Sequence, residues 1–300
     1  MKSGTKHRGV VVPMVTPVTR TGEIDEPAVS RLVEFLITRG VDGIFVLGTT
    51  GEGSSVPPAT RLRLVDLAVK QVRRRVRVYA GIRDTPTEAL VMGNEYLDAG
   101  ADALVARPPF SYPVEGLLPW YHWLLDGLSG PLIIYNIPPM ANISIPLDVV
   151  GQLVGHPRLA GIKDSENKRD RFEELLQRFG GRPDFAVFVG VGALMAQGLR
   201  LGADGIVPSV GNLIPEVCRE MWEAAKQKDW TAVDRCGQRL LTVAGLYQKG
   251  RTLGESLAAL KAALYCRGVC GLSVLPPLVA LGETELGTLR SAMQALNLLI

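Results

Sequence analysis

The chain has 300 residues, with 33 basic and 30 acidic side chains and a formal net charge of +3. Hydrophobic residues make up 47% and charged residues 21%, an ordinary globular composition with enough chain for a sizeable core. So even a balance gives no case for a nucleic-acid or anionic-membrane partner, and no apolar stretch approaches the ~20 residues of a membrane-spanning helix. The polar start Met1 to Arg8 and the short run Val10 to Val12 lack a signal-peptide core. Four cysteines (Cys218, Cys236, Cys266, Cys270) come late and without zinc-type pairing, and His7, His122 and His156 have no ligand spacing. Reduced thiols in a cytoplasmic protein are therefore expected, with no metal site.

Short apolar, β-rich runs alternate with helical patterns. In chain order, strands are expected over Val10–Thr16, Gly43–Gly48, Val76–Ile82, Ala103–Pro108, Leu132–Ile137, Leu159–Lys163, Ala186–Gly190 and Gly205–Ser209. Each run is nearly all apolar, as parallel strands covered on both faces require. Helices such as Glu26–Arg39, Pro58–Arg73, Thr87–Ala99 and Asp170–Phe179 fill the gaps. The dense basic run Arg73 to Arg77 follows one of these helices, where cations suit the C-terminus. Eight right-handed βαβ units match a closed (β/α)8 barrel, the TIM-barrel fold of the α/β class.

Gly40-Val-Asp-Gly-Ile44, Gly100-Ala-Asp-Ala-Leu104 and Gly202-Ala-Asp-Gly-Ile206 repeat one junction between helix end and strand start. Glycine suits the helix C-cap and the aspartate then turns the chain, so Asp42, Asp102 and Asp204 read as structural residues of the bottom face. After Ser209 the pattern is helical only, over Pro215–Gln227, Thr231–Gln248, Glu255–Cys266 and about Pro276–Leu298. The expected division is a catalytic barrel over residues 1–228 and a C-terminal helical region over 229–300, the latter without evident chemistry.

In such a barrel the active site lies at the C-terminal ends of the strands. The sixth strand ends on Lys163 after burying Leu159 and Ile162. A lysine desolvated in a barrel mouth loses preference for its charged form, and a neutral amine attacks carbonyls. The plain alternative is a solvated lysine opening the next loop. Tyr135 ends the neighbouring fifth strand and could supply the proton transfers of Schiff-base chemistry. The second strand ends in Gly48-Thr49-Thr50-Gly51-Glu52, whose hydroxyls could relay protons and whose backbone N–H groups could hold a carboxylate. Alone, a strand-end tyrosine is also a common half-buried core residue, and Gly-Thr-Thr-Gly is also a turn. The weight comes from three features meeting on one rim.

Gly48-Thr49-Thr50-Gly51-Glu52, Tyr135-Asn136-Ile137-Pro138 and Gly161-Ile162-Lys163-Asp164 resemble the signatures of the dihydrodipicolinate synthase/N-acetylneuraminate lyase family of class I aldolases. The resemblance covers nearly the whole chain. It implies a homotetrameric barrel enzyme without metal or organic cofactor, acting on pyruvate or another 2-oxo acid and an aldehyde. It implies an imine on Lys163, Tyr135 as general acid/base, and Thr49 and Thr50 as carboxylate holders and proton relay. Gly48, Gly190, Ser209, Ser111 and Tyr112 are the further expected substrate contacts.

Three departures bear on the substrate. Met140 stands where the synthase has an arginine for the second substrate's carboxylate. Ser111, beside Tyr112, stands where it has a tyrosine lent across subunits. The stretch Gly190-Val191-Gly192-Ala193 lacks the acidic residues of the sialic acid lyases. Ser209 matches a serine of several sugar-acid members. A lyase or dehydratase for a sugar-acid-like substrate is thus the leading reading. 4-Hydroxy-tetrahydrodipicolinate synthase follows, and it gains if another arginine, such as Arg107, reaches the pocket. A barrel that binds a 2-oxo acid without efficient catalysis is the alternative of another class.

Overall fold

The computed structural model describes residues 6–82, 86–110 and 113–299. The eight apolar runs form eight parallel strands: β1 Gly9–Pro13, β2 Gly43–Val46, β3 Arg77–Ile82, β4 Ala103–Ala106, β5 Leu132–Asn136, β6 Leu159–Asp164, β7 Ala186–Val189 and β8 Gly205–Ile206. They close into one barrel in sequence order, β8 pairing with β1. Six of the strands end earlier than the apolar pattern predicts, while β3 ends at Ile82 as expected and β6 runs one residue further, to Asp164. The clearest case is β8, where Pro208 has no N–H for the ladder and Ser209–Asn212 turns into a single 3-10 coil.

The repeated aspartates explain how the barrel floor is fastened. Asp42 accepts the backbone N–H of Val10 at 2.8 Å, Asp102 that of Val78 at 2.7 Å and Asp204 that of Val187 at 2.9 Å. Each carboxylate thus ties the strand it precedes to the preceding strand, at the end away from Lys163, as the sequence predicts. A backbone N–H at the floor would otherwise lack a partner.

Around the barrel lie α1 Glu26–Ile37, α2 Pro58–Val72, α3 Pro86–Asp98, α4 Leu117–Gly127, α5 Pro138–Ala141, α6 Leu147–Leu153, α7 Arg169–Phe179, α8 Met195–Arg200 and α9 Pro215–Lys226. Alternate strand residues divide the core in two. Val10, Val12, Ile44, Val46, Leu104, Ile134 and Ile162 pack outward against the helices. Val11, Phe45, Tyr79, Val105, Ile133, Tyr135, Phe188 and Val207 fill the lumen. Each such side chain contributes about 1.5–3 kcal/mol by leaving water, so the lumen is a packed plug beneath the site.

The C-terminal part comprises α10 Trp230–Gln248, α11 Leu253–Cys266 and α12 Glu283–Ala295. The helix expected from Pro276 begins seven residues later. The prolines at 276 and 277 withhold two N–H donors, and α12 starts only after Gly282 with Glu283 and Glu285 in its first turn.

Candidate active site

Register determines which residues meet at the rim. Tyr135 on β5 lies opposite Lys163 on β6, and Lys163 lies opposite Phe188 on β7. All three point into the lumen because they share strand parity. Lys163 is 6% exposed, and its Nζ stands 3.9 Å from the Tyr135 ring centroid and 5.2 Å from that of Phe45, across the barrel. Among the described residues the amine has no hydrogen bond and no ion pair. It is held between aromatic faces rather than by a carboxylate. The cavity beneath it is lined by Val11, Phe45, Tyr79, Val105, Ile133, Phe188 and Val207, all apolar except for the tyrosine hydroxyl.

Two glycines make room for this arrangement. A Cβ on Gly190 would lie 3.1 Å from Lys163 Cε and 2.1 Å from Ser165 Oγ. A Cβ on Gly48 would lie 2.8 Å from the Phe45 ring, so the loop after β2 rests on the ring whose other neighbour is the lysine amine. Thr50 is buried and Thr49 half-buried in that loop. Thr16 Oγ1 donates to Gly51 O at 2.6 Å, fastening the loop to the end of β1.

Behind Tyr135 and Lys163, on the outward parity, Asn136 lies opposite Asp164. Asn136 Nδ2 donates to Asp164 Oδ2 at 2.9 Å and to Glu166 Oε2 at 3.1 Å, and Asn136 Oδ1 accepts Ile145 N at 3.0 Å. Arg171 Nε donates to Asp164 Oδ2 at 3.0 Å, and Ser144 Oγ donates to Glu166. Burial pushes the Asp164 carboxyl up, against the pull of Arg171. Burial also acts upward on Glu166, yet Lys168, Ser144, Asn136 and Arg171 together hold it below the ordinary carboxylate range. Asn136 was visible in the sequence as part of a signature. Asp164 was visible in the same way, but their pairing and the further partners Glu166 and Ile145 were not, because only the fold brings them together.

Ser209 opens the 3-10 turn after β8, and its Oγ lies 2.8 Å from the phenol oxygen of Tyr247 on α10. Burial pushes the Tyr247 phenol up, so the hydroxyl stays protonated. Leu241 of the same helix approaches Gly192 in the strand 7 loop. The C-terminal region, expected to carry no chemistry, therefore supplies a wall and a hydroxyl partner at the rim. Helical periodicity gave no sign of this, since Tyr247 reads as an ordinary buried aromatic.

Arg107 directly follows β4, which ends at Ala106. The β4–β5 register ends one residue earlier, at Ala106 opposite Ile134. Arg107 Nη1 donates to Met140 O at 3.2 Å, so a guanidinium stands beside Met140. Ser111 and Tyr112 lie outside the described residues.

A closed barrel with a buried lysine and a tyrosine side by side at its C-terminal rim defines a lyase of the imine-forming type. Residues 6–296 match the dihydrodipicolinate synthetase family, and the chain belongs to that family. It is 31% identical over 295 residues to a 4-hydroxy-tetrahydrodipicolinate synthase of Phenylobacterium zucineum, covering 97% of this chain and 98% of the relative. It is similar to the dihydrodipicolinate synthase structure from Bacteroides thetaiotaomicron, with 30% identity, a TM-score of 0.92 and coverage of 97% of this chain and 99% of that one. A prophage protein of the same family from E. coli K12, solved in complex with pyruvate, is 27% identical with a TM-score of 0.91 over 97% of this chain and 99% of that one.

Proposed function

We propose that the protein joins or splits a carbon–carbon bond next to the ketone of pyruvate or another 2-oxo acid, through an imine on Lys163. The observation that carries this reading is the Lys163 amine, buried at the rim, 3.9 Å over the Tyr135 ring and, among the described residues, without a counter-carboxylate. The amine attacks the keto carbon, water leaves, and the protonated imine draws electrons from the adjacent carbon to give an enamine. Tyr135 moves protons at nitrogen and carbon. The Gly48, Thr49, Thr50 loop binds the 2-oxo acid carboxylate through backbone N–H groups and hydroxyls. Gly190 leaves the lysine its path. By family resemblance the enzyme is a cytoplasmic homotetramer.

For the second substrate, Arg107 supports an aldehyde carrying an anionic group, the class to which a synthase acceptor belongs. A guanidinium at the Met140 carbonyl supplies the charge that Met140 itself lacks. The relatives named 4-hydroxy-tetrahydrodipicolinate synthase fit this branch. Ser209, held by Tyr247, favours the other branch, a sugar-acid substrate whose hydroxyls need a partner.

Borohydride reduction with pyruvate, followed by peptide mass spectrometry, tests the imine. A pyruvyl adduct on Lys163 is expected, together with its loss and the loss of turnover in a folded Lys163→Ala variant. A fully formed enzyme that traps nothing would leave only 2-oxo acid binding. A panel of semialdehydes and sugar aldehydes offered with pyruvate then separates the two branches, the acidic aldehydes being expected to react fastest.

A further inference from the structure

The loop that carries Thr49 and Thr50 is bracketed by two non-glycine residues in the left-handed region, Leu47 at φ 58° and Glu52 at φ 52°. Such backbone conformations persist where the surroundings over-determine them. The surroundings here are specific. The Glu52 side chain turns away from the rim and forms an ion pair with Lys261 of α11, the two side chains being 2% and 0% exposed. Its second oxygen, Oε2, accepts the backbone N–H of Leu275 at 2.7 Å. On the opposite flank Thr16 holds Gly51, where a Cβ would lie 2.8 Å from Met14 O. A dry ion pair rarely stabilises a fold more than apolar residues of the same size would. What it can supply is one fixed geometry.

We propose that Glu52 and Lys261 are positioning residues for the carboxylate-binding loop. The C-terminal helices hold Thr49 and Thr50 in their binding conformation through this pair, without touching the substrate. The proposal rests on the imine reading and concerns the affinity for the 2-oxo acid.

The test uses the full-length protein and variants that leave no buried charge unpaired: Glu52→Gln with Lys261→Met, and Glu52→Gln with Lys261→Gln. Thermal midpoint and far-UV circular dichroism report the fold. The pyruvate concentration for half-maximal borohydride trapping on Lys163 reports the loop. Both doubles are expected to keep the wild-type spectrum and a midpoint within a few degrees. Half-maximal trapping should need roughly tenfold more pyruvate, with the adduct at saturation unchanged. A lower midpoint with unchanged half-saturation would make the pair merely structural and overturn the proposal. Unfolding of both doubles would do the same. Absence of any adduct in the wild-type enzyme would instead defeat the imine reading itself, so the two failures are distinct.

Discussion

At the residue scale, Tyr135 carries two separable duties. Its ring packs under the Lys163 amine and closes the lumen, while its hydroxyl is free for chemistry. Among the described residues that hydroxyl makes no hydrogen bond, so its removal leaves no buried partner unsatisfied. Tyr135→Phe keeps the ring and should leave the thermal midpoint nearly unchanged. Turnover with pyruvate and an accepted aldehyde should fall by roughly 10²–10⁴-fold, the usual worth of a general acid/base group. A loss under tenfold in steady-state kinetics would take the residue out of that role. Both site residues were legible because a lysine or tyrosine at the end of an apolar strand is locally anomalous. Arg107 was legible only as an arginine that could reach the pocket, since an arginine before two prolines otherwise reads as an ordinary loop opening. Its contact with the Met140 carbonyl appears only in the fold.

At the element scale, the β5–β6 pair is the frame of the site. Tyr135 and Lys163 face in while Asn136 and Asp164 face out, so one register serves the proposed chemistry on one side and fastening on the other. Slipping either strand by one residue would exchange the two sets. Asn136 spans the pair and also caps the Ile145 N–H, so its loss strands several buried polar groups at once. Asn136→Ala should cost about 2–4 kcal/mol, lowering the thermal midpoint by roughly 3–6 °C in a chain of this size. The adduct on Lys163 should form more slowly as the frame loosens. A midpoint within a degree of wild type would show that the network does not hold the strands. The strands themselves were readable from their apolar runs, whereas this network was not. Its members come from the end of β5, the end of β6, residue 144 and α7, and nothing local links them.

At the scale of the whole molecule, the barrel was legible from repetition: eight apolar runs, and a glycine-x-aspartate junction whose carboxylates lock the floor. The C-terminal helices were legible as helices but not as parts of the site, because Tyr247 and Lys261 act through partners far off in sequence. The floor has one further element, the arm before β1. His7 Nδ1 lies 2.9 Å from the Tyr79 hydroxyl inside the barrel, and Lys6 pairs with Asp204 at 2.6 Å. Burial, aided by the charge of Arg77, lowers the His7 pKa from 6.5 to about 4. The unfolded chain therefore takes up a proton near pH 6.5 that the folded protein refuses until about pH 4. In that window the unfolded state binds more protons, so stability is complete above pH 6.5 and falls as pH falls, levelling off below about 4. At about 1.4 kcal/mol per pH unit, the window is worth at most on the order of 3 kcal/mol. His7→Gln keeps a polar partner for Tyr79 and removes the titration. Urea midpoints of the two proteins should therefore converge as the pH is lowered from 7 to 4, with the wild type losing more. A difference that stays constant across that range would mean that the imidazole titrates as freely in the barrel floor as in the unfolded chain.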